Sequence, residues 1–313
     1  MIACTTPSGF VGHASAKLNL FFEIHGPRSD GYHNVCSLCC PVNVFDTLFV
    51  ELQESPEITF FCGYGIFTQT AENIPTDSEN LVVKAMELVR KRYNVQSGCR
   101  VRLIKRIPSQ AGMGGGSSDA AMAIRLACKA WNLPLARDEM LTLGAELGSD
   151  VPMFFFNELT LGRGRGDRVE PVGLAPRLDF VIVKPPEGIS TAEAYRNCST
   201  VQITDRRSPE RLLKGLQSGN RREIRSGMFN RLETTAGLLC SKVRQLRERF
   251  EKLDCPAYQM TGSGTAYFAL CRHRQHARQL ASRLRLENMG EVFVAHTVPS
   301  AVFAQQENDN GGY

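Results

Sequence analysis

The run Pro108-Ser109-Gln110-Ala111-Gly112-Met113-Gly114-Gly115-Gly116-Ser117-Ser118-Asp119-Ala120-Ala121 constrains this chain more than any other stretch. Four glycines and two serines stand directly before an alanine-rich apolar segment that reads as a helix. Glycine lets backbone N–H groups approach a ligand with no side chain in the way. A helix start adds unpaired N–H groups and a partial positive charge. The combination is a cradle for a polyphosphate. No Lys-Ser or Lys-Thr pair follows the last glycine, so this is not a Walker loop. The glycine spacing and acidic ribose partner of the dinucleotide fingerprint are also missing.

The rest of the composition narrows the class. The chain has 313 residues, 42% of them hydrophobic, which suits one large globular domain or two smaller ones. Its net charge of +5 comes from 37 basic and 32 acidic residues, a mild excess. The clearest basic cluster, Arg206, Arg207, Arg211, Lys214, Arg221, Arg222 and Arg225, has helix-like spacing and no interleaved aromatics. It reads first as a solvated helical face, with attraction to anionic substrates or nucleic acid as the alternative. The cysteine count of 11 is odd and shows no disulfide framework, so reduced thiols in a cytosolic setting are expected. Cys36-Ser37-Leu38-Cys39-Cys40 contains one CxxC without a second, a weak signal for zinc. No apolar run reaches the roughly 18 residues that a membrane span needs, and no secretory signal pattern opens the chain.

Periodicity gives an α+β reading. Strands are expected at 14–24, 44–52, 58–62 and 99–107, with a helix capped by Ser78 that presents Leu81, Ala85, Leu88 and Val89 on one face. Helices follow the glycine loop at 117–131 and 138–147. A second unit begins near 160, with strands at 178–184, 266–271 and 291–296 and helices at 208–217, 221–233, 236–253 and 273–287. The expected division is therefore 1–159 and 160–304, with 305–313 as an unstructured tail. The run Gly162-Arg163-Gly164-Arg165-Gly166 reads as a flexible loop between the two units.

Three further blocks carry candidate chemistry. In Ser15-Ala16-Lys17-Leu18-Asn19-Leu20, strand alternation sets Lys17 and Asn19 on one face and Leu18 and Leu20 on the other. Asp150, in Gly148-Ser149-Asp150-Val151-Pro152, is an ordinary turn residue unless Lys17 is its partner. A Lys–Asp pair would keep both groups charged and offer a cation to a transferring phosphoryl group. Gly31-Tyr32-His33 is either a loop tip or a place to stack and hydrogen-bond a planar base. A second glycine-rich turn, Met260 to Thr265, is either a tight turn or a point of close packing against the cradle.

Taken together, these blocks resemble the GHMP kinase superfamily, whose members include galactokinase, homoserine kinase and mevalonate kinase. The resemblance covers residues 14 to 298 in order, through Ala16–Leu20, Asp30–His33, Pro108–Ala121, Gly148–Pro152, Ser190–Tyr195 and Met260–Gly264. The glycine loop marks the superfamily. The Lys-x-Asn block followed by Gly-Tyr-His points to the branch acting on a methylerythritol that carries cytidine diphosphate, in the non-mevalonate isoprenoid route. The resemblance implies an N-terminal ATP domain of ribosomal S5-like fold and a C-terminal ferredoxin-like domain. It implies ATP and Mg²⁺ as cofactors, a small-molecule substrate with a cytidine diphosphate moiety, and no nucleic-acid or membrane partner.

Residue by residue, it implies Asp150 as general base with Lys17 as its partner. Pro108, Ser109, Gln110, Ala111, Gly112, Met113, Gly114, Gly115, Gly116, Ser117 and Ser118 would hold the ATP phosphates, with Asn80 and Leu81 beside the adenine. Tyr32, His33 and Tyr195 would surround the cytosine, with Asn19 and Thr191 nearer the sugar and erythritol. Either Ser117 or Ser118 is a candidate to reach a phosphate-bound Mg²⁺, and its direct protein ligands stay open. Two stretches depart from the pattern, the cysteine-rich 36–40 and Lys184-Pro185-Pro186-Glu187-Gly188; neither touches the catalytic pair. Two rivals stay open at this stage: another small-molecule GHMP kinase, and an RNA-binding protein of S5-like fold.

Overall fold

The computed structural model describes residues 2–6, 9–65, 74–134, 136–198 and 207–298. Arg206 of the basic cluster and the expected tail at 305–313 lie outside them. The first half runs β1 (Ile2–Thr6), β2 (Gly9–Pro27), β3 (His33–Gln53), β4 (Ile58–Tyr64), α1 (Leu81–Arg92), β5 (Gly98–Lys105), α2 (Gly115–Ala130) and α3 (Arg137–Leu147). A single 3₁₀ turn, Pro152–Phe155, leads to β6 (Leu159–Gly164) and β7 (Arg168–Gly173). The second half continues with β8 (Asp179–Lys184), α4 (Thr191–Cys198), α5 (Glu210–Ser218), α6 (Arg221–Gly227), β9 (Phe229–Asn230), α7 (Leu232–Leu239) and α8 (Ser241–Glu251). It closes with β10 (Ala257–Met260), β11 (Tyr267–Cys271), α9 (Arg274–Leu286) and β12 (Glu291–His296).

Two sheets organise these elements. Among the described residues, eight strands form one sheet, ordered β1-β2-β3-β5-β4, with β6 added to β3, β7 to β6 and β9 to β2. The other sheet is four-stranded and antiparallel, ordered β10-β11-β8-β12. Counted by its own strands this is the 4-1-3-2 order of a ferredoxin-like βαββαβ unit. The α+β reading with a ferredoxin-like second half is thus borne out. The boundary expected at 159/160 falls inside the large sheet, because β6 pairs with β3 and β7 with β6.

Side-chain alternation decides which face packs where. One core lies between the large sheet and α1–α3, around Met86, Val89, Met122, Ile124 and Leu126. A second joins the two sheets, with Leu18 and Leu20 of β2 meeting Phe180 and Ile182 of β8 and Phe268 and Leu270 of β11. The intervening residues Val181, Val183, Tyr267 and Ala269 face a third core, shared with α7, α8 and α9. β2 carries a bulge: Asn19 pairs with Cys39 and Phe21 with Leu38, which leaves Leu20 as an extra residue. Leu20 and Phe21 therefore both enter the inter-sheet core, while Phe22 turns to the third.

Several local expectations change. Asn80, not Ser78, caps α1, its side chain accepting from Val82 N at 2.9 Å. The helix expected over 221–233 stops at Gly227, and Phe229–Asn230 instead pairs with Phe21–Phe22. The helix expected over 236–253 is broken at Cys240, which is extended at φ −134°. Gly162–Gly166 is no flexible linker, since it forms the end of β6 and the turn into β7. Cys36, Cys39 and Cys40 are buried free thiols inside β3, and no His/Cys/Asp/Glu group among the described residues has metal-ligand geometry. No described helix is long and apolar enough to cross a membrane.

A buried ion pair ties the halves together. Glu23 of β2 has no exposed surface, and both of its oxygens accept from Arg231, at 2.7 Å from Nε and 2.7 Å from Nη2. The N–H groups of Arg207 and Ile24 also donate to it, each at 2.9 Å. The Phe229 ring packs against both Arg207 and Arg231, with guanidinium carbons 4.5 and 4.7 Å from its centroid. Burial alone would raise the Glu23 pKa, but the Arg231 hydrogen bonds and the two N–H donors outweigh it and hold the carboxyl below its ordinary value. Arg231→Ala would strand that charge, and we expect it to destabilise the fold by about 3 kcal/mol at neutral pH in urea denaturation. Because the folded pKa is depressed, the pair's contribution is complete above the unfolded value of 4.5 and is lost as pH falls through the lower folded value. The difference between wild type and Arg231→Ala should shrink over that acid range.

Candidate active site

A cleft of about 650 Å³ opens between the halves, walled by the glycine loop, β2, the 262–264 turn and the start of α4. Lys17, Asp150, Thr191, Tyr195 and the whole of Pro108–Ser117 line it. The loop owes its shape to two close approaches. Gly112 sits at φ +72°, and a Cβ there would lie 2.0 Å from Thr261 O. Gly114, at φ +73°, caps α2 without a side-chain hydrogen bond, and a Cβ there would lie 2.7 Å from Phe154 Cζ. The first intrahelical bond runs from Ser118 N to Gly114 O at 2.9 Å, so the N–H groups of Gly115, Gly116 and Ser117 have no intrahelical acceptor.

The second glycine turn holds the first from below. Thr265 N donates to Gln110 O at 3.0 Å, Ala266 N to Ala111 O at 3.2 Å, and Thr261 Oγ1 to Gly112 O at 3.2 Å. Asn230 fixes that turn in its place, its Nδ2 donating to Met260 O at 2.8 Å and Gly262 O at 2.9 Å. The tight-packing reading of Met260–Thr265 is the one realised.

Lys17 and Asn19 share the cleft face of β2, as the alternation required. Lys17 is buried; its N donates to Met113 O at 3.0 Å and its Nζ donates to Asn19 Oδ1. It makes no direct ion pair with Asp150, although both carboxylate and ammonium act electrostatically on the Cys39 thiol. Asn19, expected to touch the sugar, has its side chain fully engaged within the protein. Its Oδ1 also lies 3.2 Å from Thr261 Oγ1, and its Nδ2 donates to Ser37 Oγ at 2.7 Å and Cys39 Sγ at 3.1 Å. It orients Lys17. Burial raises the Cys39 thiol to about 11, so it stays protonated among these groups. Asp150 is exposed on the turn after α3.

The adenine-side residues also change meaning. Asn80 spends its side chain on the α1 cap and on Pro75 O, at 2.7 Å from Nδ2, so its part is to place Leu81. A Cβ on Gly116 would lie 3.6 Å from Leu81 Cδ1, which sets that leucine against the loop. His33, outside the cleft lining, has its ring 5.4 Å from that of the lining residue Tyr195, and Tyr195 meets Phe22 edge-on at 6.3 Å. His33 Nε2 is buried with no hydrogen-bond partner. Burial, then the Asp150 charge, raise the Tyr195 phenol, which stays neutral. Thr191 Oγ1 lies 3.0 Å from Ser263 Oγ. Tyr32 stands outside the cleft lining, 52% exposed, under the Arg165 guanidinium.

One buried group had no assigned role in the sequence. Lys105 Nζ donates to Asp46 Oδ2 and, at 2.8 Å, to Asp119 Oδ2. Asp46 Oδ1 accepts from Arg106 N and, at 2.8 Å, from Ile107 N, which anchors the entry of the loop. Burial raises Asp119; Lys105 opposes this and the Asp46 charge adds to it. The signal was available, since Cys99, Val101 and Leu103 are buried at alternate positions and Lys105 is the next inward residue.

Comparisons with known proteins bear on the family and the fold. Residues 80–158 match the GHMP kinases N terminal domain and residues 212–289 the GHMP kinases C terminal domain. A 4-diphosphocytidyl-2-C-methyl-D-erythritol kinase of Caldicellulosiruptor saccharolyticus is 31% identical over 94% of this chain and 99% of its own. The kinase of the same name from Pelotomaculum thermopropionicum is 34% identical over 87% of this chain and 92% of its own. A crystal structure of 4-(cytidine 5'-diphospho)-2C-methyl-D-erythritol kinase superposes with a TM-score of 0.75 at 30% identity, covering 91% of this chain and 98% of that one. The mevalonate kinase of L. major superposes at a TM-score of 0.70 with 16% identity, covering 96% of this chain and 99% of that one, a likeness of fold alone.

Gly112→Ala tests the loop. Its Cβ has no room before Thr261 O and its φ is left-handed. We expect a stability loss of about 1–3 kcal/mol and a fall in nucleotide affinity of at least about tenfold by calorimetry.

Proposed function

The chain belongs to the 4-diphosphocytidyl-2-C-methyl-D-erythritol kinase family of the GHMP kinases, and from that premise we propose how its residues divide the work. It is an ATP-dependent small-molecule kinase. The reaction is transfer of the ATP γ-phosphoryl group to the 2-hydroxyl of 4-diphosphocytidyl-2-C-methyl-D-erythritol, giving the 2-phosphate and ADP, a step toward isoprenoid precursors. One observation carries this reading: a single cleft joins a loop of open N–H groups, a buried lysine and an exposed carboxylate.

Phosphoryl transfer asks a protein mainly for positioning and charge stabilisation. Pro108–Ser118 holds the phosphates through the open N–H groups at the α2 start. Asp150 accepts the proton of the acceptor hydroxyl as its oxygen attacks the γ-phosphorus and the bond to the ADP oxygen breaks. Lys17, oriented by Asn19, stabilises the charge on the transferring group. Leu81, set by Asn80, forms the wall beside adenine. Tyr195 and His33 receive the cytosine, with the unpaired His33 Nε2 available to a base edge. Tyr32 borders them, and Thr191 stands toward the erythritol.

Mg²⁺ would travel with ATP. Ser118 Oγ and Asp119 Oδ1, both buried without a partner at the first turn of α2, are oxygen donors of the kind this cation takes. When bound there it would neutralise phosphate charge. For the domains, we place the division after β7, at 174–178, so that β6 and β7 stay with the ATP-binding half.

Asp150→Asn and Lys17→Ala should each lower kcat by about 10²–10⁴-fold, with nucleotide affinity little changed for Asp150→Asn. A folded Asp150→Asn enzyme with near wild-type turnover would remove that residue from the mechanism. Tyr195→Ala should weaken the diphosphocytidyl substrate and spare ATP; the reverse pattern would assign this end of the cleft to the wrong ligand.

A further inference from the structure

We propose that Arg165 binds the diphosphate of the acceptor substrate, an inference that rests on the cytidine diphosphate reading above. Such a substrate carries its base at one end and its reacting hydroxyl at the other. Two phosphates lie between them, and whatever wall separates Asp150 from the His33–Tyr195 pair must face those phosphates. We take the β6–β7 turn, which lies beside Asp150 and Val35, as that wall. Gly162, Arg165 and Gly166 line the cleft there. A Cβ at Gly166 would lie 3.9 Å from Asp150 Oδ1 and 3.8 Å from Val35 Cγ2. Val35 follows His33 by two residues on β3 and pairs with Gly164. Arg165 is thus adjacent in the chain to a residue that lies beside both Asp150 and Val35.

The guanidinium is set and only partly spent. Its Nε and Nη2 donate to one oxygen of Asp167, at 3.2 and 3.0 Å. Its carbon lies 5.1 Å from the Tyr32 ring centroid. Asp167 also accepts from Arg165 N at 3.1 Å, which fixes the turn. A guanidinium carries five N–H donors, and Asp167 uses two of them. The two on Nη1 make no hydrogen bond among the described residues. The neighbouring Arg28 is engaged by Asp30 and Asn34, so it does not compete for an anion. A planar fork held by a carboxylate on one edge and an aromatic face beside it suits phosphate oxygens on the free edge.

The test is calorimetric binding of cytidine, CDP, UDP and a non-hydrolysable ATP analogue to wild type, Arg165→Ala and Arg165→Lys. We expect wild type to bind CDP more tightly than cytidine. Arg165→Ala should weaken CDP by about tenfold or more while changing cytidine by less than about twofold, with Arg165→Lys intermediate. Unchanged affinity for the ATP analogue certifies the fold of each variant. An unaltered CDP-to-cytidine ratio in Arg165→Ala would overturn the proposal. So would equal losses for both ligands, which would mean that Arg165 only props Tyr32. If wild type bound UDP as well as CDP and Arg165→Ala weakened both alike, Arg165 would stand and the cytosine reading would fall.

Discussion

The contact on which the site depends is backbone against backbone. The turn 261–265 lies directly against residues 110–112, with no side chain between Gly112 and Thr261 O. A loop rich in glycine has high conformational entropy when free, and ordering it opposes ligand binding unless something else has already fixed it. Here the C-terminal half supplies that order through three hydrogen bonds to the loop backbone. The amides that face the phosphates belong to the N-terminal half, but their arrangement belongs to the whole molecule. The Glu23–Arg231 pair and the bridge between Val42 and Thr297 keep the halves at the spacing this contact needs.

What was legible in the sequence was what repeats or stands out locally. Alternation in β2 sent Lys17 and Asn19 to one face and Leu18 and Leu20 to the other, and the core contacts agree. The glycine loop and its following helix were legible for the same reason, since both are contiguous. The resemblance to the GHMP kinases drew on those blocks in order, and the comparisons agree with it at family level.

The rest was set by distant partners. Asn230 looked like the interior of a helix, yet its side chain holds Met260 O and Gly262 O from another element, and the helix gives way to a two-residue strand on β2. Gly162–Gly166 looked like a linker because glycine and arginine mark no period; pairing with β3 made it a wall of the cleft. Asn19 was legible as cleft-facing, but the partners of its side chain within the protein were not. Its neighbours Ser37, Cys39 and Thr261 come from β3 and from the second glycine turn, and only the folded chain shows that they occupy it. Lys105 differs from these: its inward position was available from alternation, and only its partners Asp46 and Asp119 required the structure.

The extra residue at Leu20 has a consequence for how this gene can drift. Side chains from Ala16 to Leu20 obey one face assignment and those from Phe21 to Ile24 the opposite one. Substitutions along β2 each affect one position, so they can accumulate singly. Loss or gain of a single codon between Lys17 and Phe22 would swap faces for everything on one side of the bulge. Either the lysine would leave the cleft or Phe22 and Ile24 would leave the third core. Length in this strand is therefore held more tightly than spelling, and indels should be rarer there than its sequence variability alone would suggest.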